Sequence, residues 1–158
     1  MDGINLETLD GLRQALESLL PEAEDPNLAP ELLITPQHFV PTGLGGFVGL
    51  HDTPPGEIYG RRLAAVVSIT ARARTDAALH DAANAVTRAL VTADRPTLRT
   101  LGILSLSLAG MGPQWSQGTG GNRIVGREIT ASVLYEYLKL PEEAGEVIQQ
   151  IPIHLETL

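Results

Sequence analysis

The residue types that could do chemistry are present but are nowhere gathered. His38, His51, His80 and His154 fall at spacings that make no H-E-x-x-H or comparable metal pattern. The chain has no cysteine, which removes thiolate nucleophiles, disulfides and thiolate metal sites together. Ser116 stands in "QWSQG", which lacks the leading glycine of a G-x-S-x-G nucleophile elbow. The stretch "GTGGNR" (118–123) has the glycines of a phosphate loop. It has no G-K-[ST], and it leads into a strand rather than a helix whose N-terminus could hold an anion. His51-Asp52 has the makings of a ligand pair, but Asp before Thr-Pro-Pro is also what a turn uses. Glu142-Glu143 reads as a solvated helix start. No catalytic set, metal or cofactor is expected, and the chain reads as a non-enzyme.

The distinctive residues lie elsewhere. "GEIYGRRLAAVVSITARA" (56–73) is echoed by "NRIVGREITASVLYEY" (122–137), each beginning Ile-x-Gly-Arg before alternating as a strand does. Gly60 and Gly126 mark bulges or points of close backbone approach, or else a shared subunit contact. Arg61, Arg62 and Arg127 would then present guanidinium groups at one sheet edge to acidic partners. Trp115, the only tryptophan, is either a lid over a local core gap or an interface anchor. Phe39 and Phe47 stand in an apolar, Pro- and Gly-rich stretch that packs on its own domain or docks on a partner.

The elements that would position these residues follow from periodicity. Leu9, Leu12, Leu16 and Leu19 predict a helix over about 5–20, with Asn5 as cap and Pro21 as stop. A short strand is expected at 32–35, then a long loop over 36–57. The strand 58–73 places Leu63, Ala65, Val67, Ile69 and Ala71 on one face, and Arg62, Ser68, Thr70 and Arg72 on the other. A helix over 75–91, capped by Thr75 or Asp76, buries Leu79, Ala82, Val86 and Leu90. A strand with Leu104, Leu106 and Leu108 inward leads to a second loop, 111–123, and a second long strand, 124–138, with Ile129, Ala131, Val133 and Tyr135 on one face. Residues 139–158 form a tail, either a last strand or a turn of helix followed by an extension. The sum is one α+β domain: a sheet-and-helix core over 58–138, mostly antiparallel, with helices packed on one face.

Composition limits the partners. The net charge is −8, which argues against a general nucleic-acid binder. No apolar run approaches the ~18–20 residues a membrane span needs, and the acidic "MDGINLETLD" start has no signal pattern. A soluble protein retained where it is made is expected. Charge is also segregated: residues 1–57 carry −9, 58–127 carry +6 and 128–158 carry −5. Acidic and basic segments on different patches suit head-to-tail assembly, with arginine forks on neighbouring carboxylates and a contact that salt loosens.

The run "GEIYGRRLAAVVSITARA", the Ala-rich "TDAALHDAANAVTRAL" and the closing "REITASVLYEYLKLPEEAGEVIQQI" together resemble tail terminator (tail-completion) proteins of tailed phages and phage-derived contractile injection systems. The likeness covers roughly 56–150 and lies in element order and texture. It implies a structural ring, commonly a hexamer, that caps the tail tube and meets the last sheath ring. It implies no catalytic residues, and nucleic acid only as passing cargo. Such a protein would be made in the cytoplasm and end in a virion tail or injection particle. The loop 36–57 has no counterpart in that pattern. Two other readings stand beside it: a further tube, neck or baseplate component, and a stand-alone module that binds a peptide or small ligand.

Overall fold

The computed structural model describes residues 6–41, 47–52 and 54–140. Asn5, Glu142, Glu143, His154 and the tail beyond 140 lie outside the described residues. In chain order the elements are α1 (Leu6–Leu19), β1 (Glu31–Pro41), β2 (Phe47–Asp52), β3 (Pro55–Ala73), α2 (Asp76–Thr92), α3 (Arg95–Thr100), β4 (Ile103–Gln117) and β5 (Ile124–Lys139).

Alternation builds the centre of the sheet. In β3, Leu63, Ala65, Val67, Ile69, Ala71 and Ala73 are all buried. In β5 the buried set is Val125, Ile129, Ala131, Val133 and Tyr135. The two strands pair antiparallel, with Leu63 opposite Tyr135, Val67 opposite Ala131 and Ile69 opposite Ile129. Directly opposed residues share a face, so the two apolar rows form one surface. The sheet order is β1-β3-β5-β4, with β2 also paired to β3 beyond the end of β1. All four pairings are antiparallel, and the α+β expectation holds.

The helices cover that apolar surface. In α2, Leu79, Ala83, Val86 and Leu90 are buried, one stripe at helical spacing. Ala83 is the deeper alanine, and the expected Ala82 lies at the margin. Each large aliphatic side chain removed from water in this way contributes about 1.5–3 kcal/mol. Thr75 caps the helix by accepting the Ala78 N–H at 3.2 Å. In α1, Leu12 and Leu16 are fully buried, with Leu9 and Leu19 against the same core. Arg13 of α1 donates to the Leu32 carbonyl at 3.1 Å, tying the helix to β1. The joint from α3 into β4 is Gly102, at φ +83°.

Three expectations change. The segment 36–57 is not one long loop: β1 runs on to Pro41, and β2 forms a hairpin with β3. Backbone pairing to the free flank of β3 needs no side-chain alternation, so the irregular apolar pattern concealed two strands. The proline that argued against a strand is absorbed at a register shift between Pro36 and His38. Likewise 111–123 is mostly strand, because β4 continues to Gln117 through shifts around Gly110 and Pro113. Finally, Leu104, Leu106 and Leu108 do not share a buried row. A bulge between Ile103 and Ser105 gives the buried place to Ile103. Leu104 is left 40% exposed and Leu108 39% exposed, on an edge that the helices only partly cover.

Candidate interaction surfaces

The antiparallel β3–β5 pairing decides what the Gly-Arg echo can do. Arg61 lies opposite Tyr137 and Arg62 opposite Glu136, whereas Arg127 lies opposite Ala71. The two Gly-Arg steps therefore stand at opposite ends of the pair, on its two central strands. The expected cluster of Arg61, Arg62 and Arg127 at one sheet edge does not form, because two strands that start alike and run antiparallel start at different ends.

The arginines are used within the subunit. Arg62 Nε meets Glu136 Oε2 at 3.0 Å, and Arg127 Nε donates to the Gly112 carbonyl at 2.9 Å. Arg72 donates twice to the Ala29 carbonyl, at 2.7 and 3.2 Å. Arg74 pairs with Asp25 and Arg123 with Asp76, each at 3.6 Å. Exposed pairs of this kind contribute about 0–1 kcal/mol each. Their effect here is to bring the basic middle onto acidic and carbonyl groups of the same chain, so the charge segregation seen in sequence largely closes on itself.

Trp115 and Gly126 explain each other. They are opposed in the β4–β5 ladder, and the indole lies over the glycine so closely that an added Cβ would stand 2.1 Å from Trp115 Cζ2. Gly126 is thus a site of close approach, and Trp115 is a lid on the sheet face away from the helices. Gly126→Ala is expected to drive the indole off the sheet and into water. Because Trp115 is the only tryptophan, the check is direct: its emission should shift to the red while the circular dichroism spectrum is retained. An unchanged emission maximum would mean that the indole does not rest on Gly126.

Phe39 and Phe47 part company. Phe39 lies opposite Leu63 and packs against the core. Phe47 is exposed on β2 and meets the Tyr59 ring edge-to-face, with centroids 6.4 Å apart. Around it the outer end of the sheet is apolar, with Val48, Leu50, Leu138 and Leu140 all exposed, Leu50 to 74%. The second exposed apolar tract is β4, through Leu104, Leu108 and Met111. Sequence reading singles out Phe47 and its apolar stretch but misses the β4 tract, though one signal is present: β4 has no charged residue in its 15 positions.

Two of the groups that could do chemistry have structural partners. Ser116 Oγ accepts from Arg123 Nε at 3.1 Å, and His51 Nδ1 lies 3.1 Å from the Pro54 carbonyl within its turn. Among the described residues no three His, Asp or Glu side chains stand where they could hold a metal ion, and no helix is long and apolar enough to cross a membrane. A cleft of about 460 Å³ lies between the 22–30 segment and α2. Its lining mixes five alanines with the carboxylates Glu22, Glu24 and Asp25, and its one cation, Arg72, is already bonded to Ala29. No protein-family model matches the chain, and no curated protein matches it either.

Proposed function

We propose that the chain is a structural, ring-forming protein that caps or terminates the tail tube of a phage tail or contractile injection particle. One observation carries the reading: two tracts of exposed apolar side chains lie at the outer strands of one sheet, β2 and β4, on opposite flanks of β3–β5, with Leu33 of β1 and Val91 of α2 exposed outside them. A chain with two different sticky flanks joins head to tail, and a rotation between copies that closes gives a ring. The order of strands and helices that resembles tail terminators supplies the particular ring and its hexameric copy number. Tube and sheath proteins would be its partners, and nucleic acid would be cargo passing through it.

The internal use of the arginines reverses one expectation from sequence. With most of the basic groups satisfied inside the subunit, the net −8 of each copy opposes approach, and apolar flanks must overcome that repulsion. Salt shortens the reach of the repulsion, to about 3 Å at 1 M from about 10 Å at 0.1 M. Raising ionic strength should therefore favour assembly. Sedimentation velocity on the full chain across protein and salt concentration tests this. One discrete multimer, more populated at high salt, is the expected result. A monomer under every condition would remove the ring and favour a stand-alone binding module. A ring that binds along assembled tubes, and not at their ends, would favour another tube, neck or baseplate component.

A further inference from the structure

Resting on that ring reading, we propose where the copies join: β4 of one subunit adds as an antiparallel strand to β2 of the next, so that the sheet continues from copy to copy.

The two flanks of the sheet are treated differently by the sequence. Free strand edges in soluble proteins are normally blunted by charge, proline or cover, because their unpaired N–H and C=O groups recruit other strands. On the β1 flank these devices are present: Glu31, Pro36 and Pro41 lie in the strand, and Arg13 occupies the Leu32 carbonyl. On the β4 flank charge is absent, although register shifts at three points interrupt the strand. Among the described residues β4 pairs only with β5, and across Ile103–Gln117 it has no charged side chain and a single proline, Pro113. The run Ser105-Leu106-Ser107-Leu108 keeps unbroken register with β5 and lies well before that proline. β2 is the matching open stretch on the other flank. It pairs only with β3, its sole charged side chain is Asp52, and Phe47, Val48 and Leu50 are exposed.

Direction and charge fit the same joint. β4 is antiparallel to β5 and β5 to β3, so β4 runs with β3 while β2 runs against it. Two copies set side by side in the same orientation therefore bring β4 antiparallel to β2. β2 faces Pro55–Tyr59 of β3, whereas β4 starts level with Leu63, so the joint displaces successive copies along the strand direction. A closed ring of tilted strands requires such a stagger. The helix layer is polarised in the same sense. α1 lies across β1 and β5 with Asp10 and Glu17 exposed, and α3 packs beside β4 with Arg95 and Arg99 exposed. Joining β4 to the β2 flank brings the basic end of one helix layer towards the acidic end of the next.

The absence of cysteine gives a clean test. Ser105→Cys or Ser107→Cys is made in one preparation and Val48→Cys or Leu50→Cys in another, and the four pairwise mixtures are oxidised. Disulfide-linked dimers are expected in at least one mixture, and in none of the preparations alone. Ser107→Lys, which places a charge on the exposed edge, should weaken assembly by about tenfold or more with the monomer's thermal transition unchanged. If the wild type assembles while all four mixtures stay uncrosslinked and Ser107→Lys assembles normally, the joint is wrong and the ring stands. Crosslinking of Ser107→Cys with itself would place β4 against β4 about a two-fold axis and overturn the joint. A wild type that stays monomeric removes the ring reading, and this joint with it.

Discussion

Val67→Asp should leave no cooperative thermal transition at neutral pH. Val67 is fully buried at the centre of the sheet, flanked by Ile34 on β1 and Ala131 on β5, with α1 and α2 packed over that face. The only buried polar or charged residue among those described is Thr8, so a new carboxylate at 67 finds no buried cation. An unpaired buried charge is among the few single changes that cost more than about 4–5 kcal/mol, against a total domain stability of about 5–15 kcal/mol. Burial favours the neutral acid and raises the folded-state pKa above the unfolded one. The penalty is therefore largest where the unfolded chain is ionised, and it shrinks as pH falls towards the ordinary Asp range. Circular dichroism melts at neutral pH and near pH 4 should show the variant more damaged at neutral pH. A wild-type melt at neutral pH would mean that the 58–73 face is not the buried one.

Like Gly118, where φ is +82° and an added Cβ would stand 2.6 Å from the Asn122 carbonyl oxygen, Gly102 should be among the turn positions most damaged by a glycine-to-alanine change. Two separate constraints meet at this residue. Its φ of +83° lies in the left-handed region, and an added Cβ would stand 2.8 Å from the Glu136 carbonyl oxygen and 2.9 Å from Tyr135 Cε2. The first neighbour is backbone and the second a buried ring, so neither yields easily. The residue also accepts the Glu136 N–H at 2.8 Å, which pins the start of β4 to β5. Gly120 separates the two effects, having φ +59° with nothing within 4 Å of an added Cβ. Gly120→Ala should cost only the conformational term, about 1–2 kcal/mol, and Gly102→Ala should exceed it clearly in urea denaturation. Equal losses would mean that β4 shifts to make room, and that its start is less firmly fixed than its hydrogen bond implies.

How much of this was legible in the sequence depended on whether an element has two sides to satisfy. β3, β5, α1 and α2 each bury one face and wet the other, and that division leaves a period in the chain. β2 and the far half of β4 are held mainly by backbone pairing at an edge, which imposes no period, so Gly and Pro there read as loop. The partners of the arginines were hidden for another reason. Arg62 meets Glu136 across 74 residues, and nothing local says which carboxylate an antiparallel register will deliver. Gly126 was legible as a close approach, while the residue that approaches, Trp115, was not. The apolar β4 flank was concealed because Leu104 and Leu108 look like core residues until a bulge and an uncovered edge put them outside.

The central position of β3 also governs the order in which the chain can fold. Its N-terminal partners β1 and β2 come just before it, so both can pair with β3 as soon as residue 73 has been made. Its other neighbour, β5, arrives only after α2, α3 and β4, and most of the native pairing waits on that long closure. Topologies dominated by distant strand pairs fold in milliseconds to seconds rather than microseconds. During that interval the unfilled side of β3 is itself an open edge, richer in Val, Ile and Ala than β2 or β4. The strand that organises the finished subunit is thus the one most exposed to mispairing on the way, and folding of β5 onto it has to outrun its capture by another nascent chain.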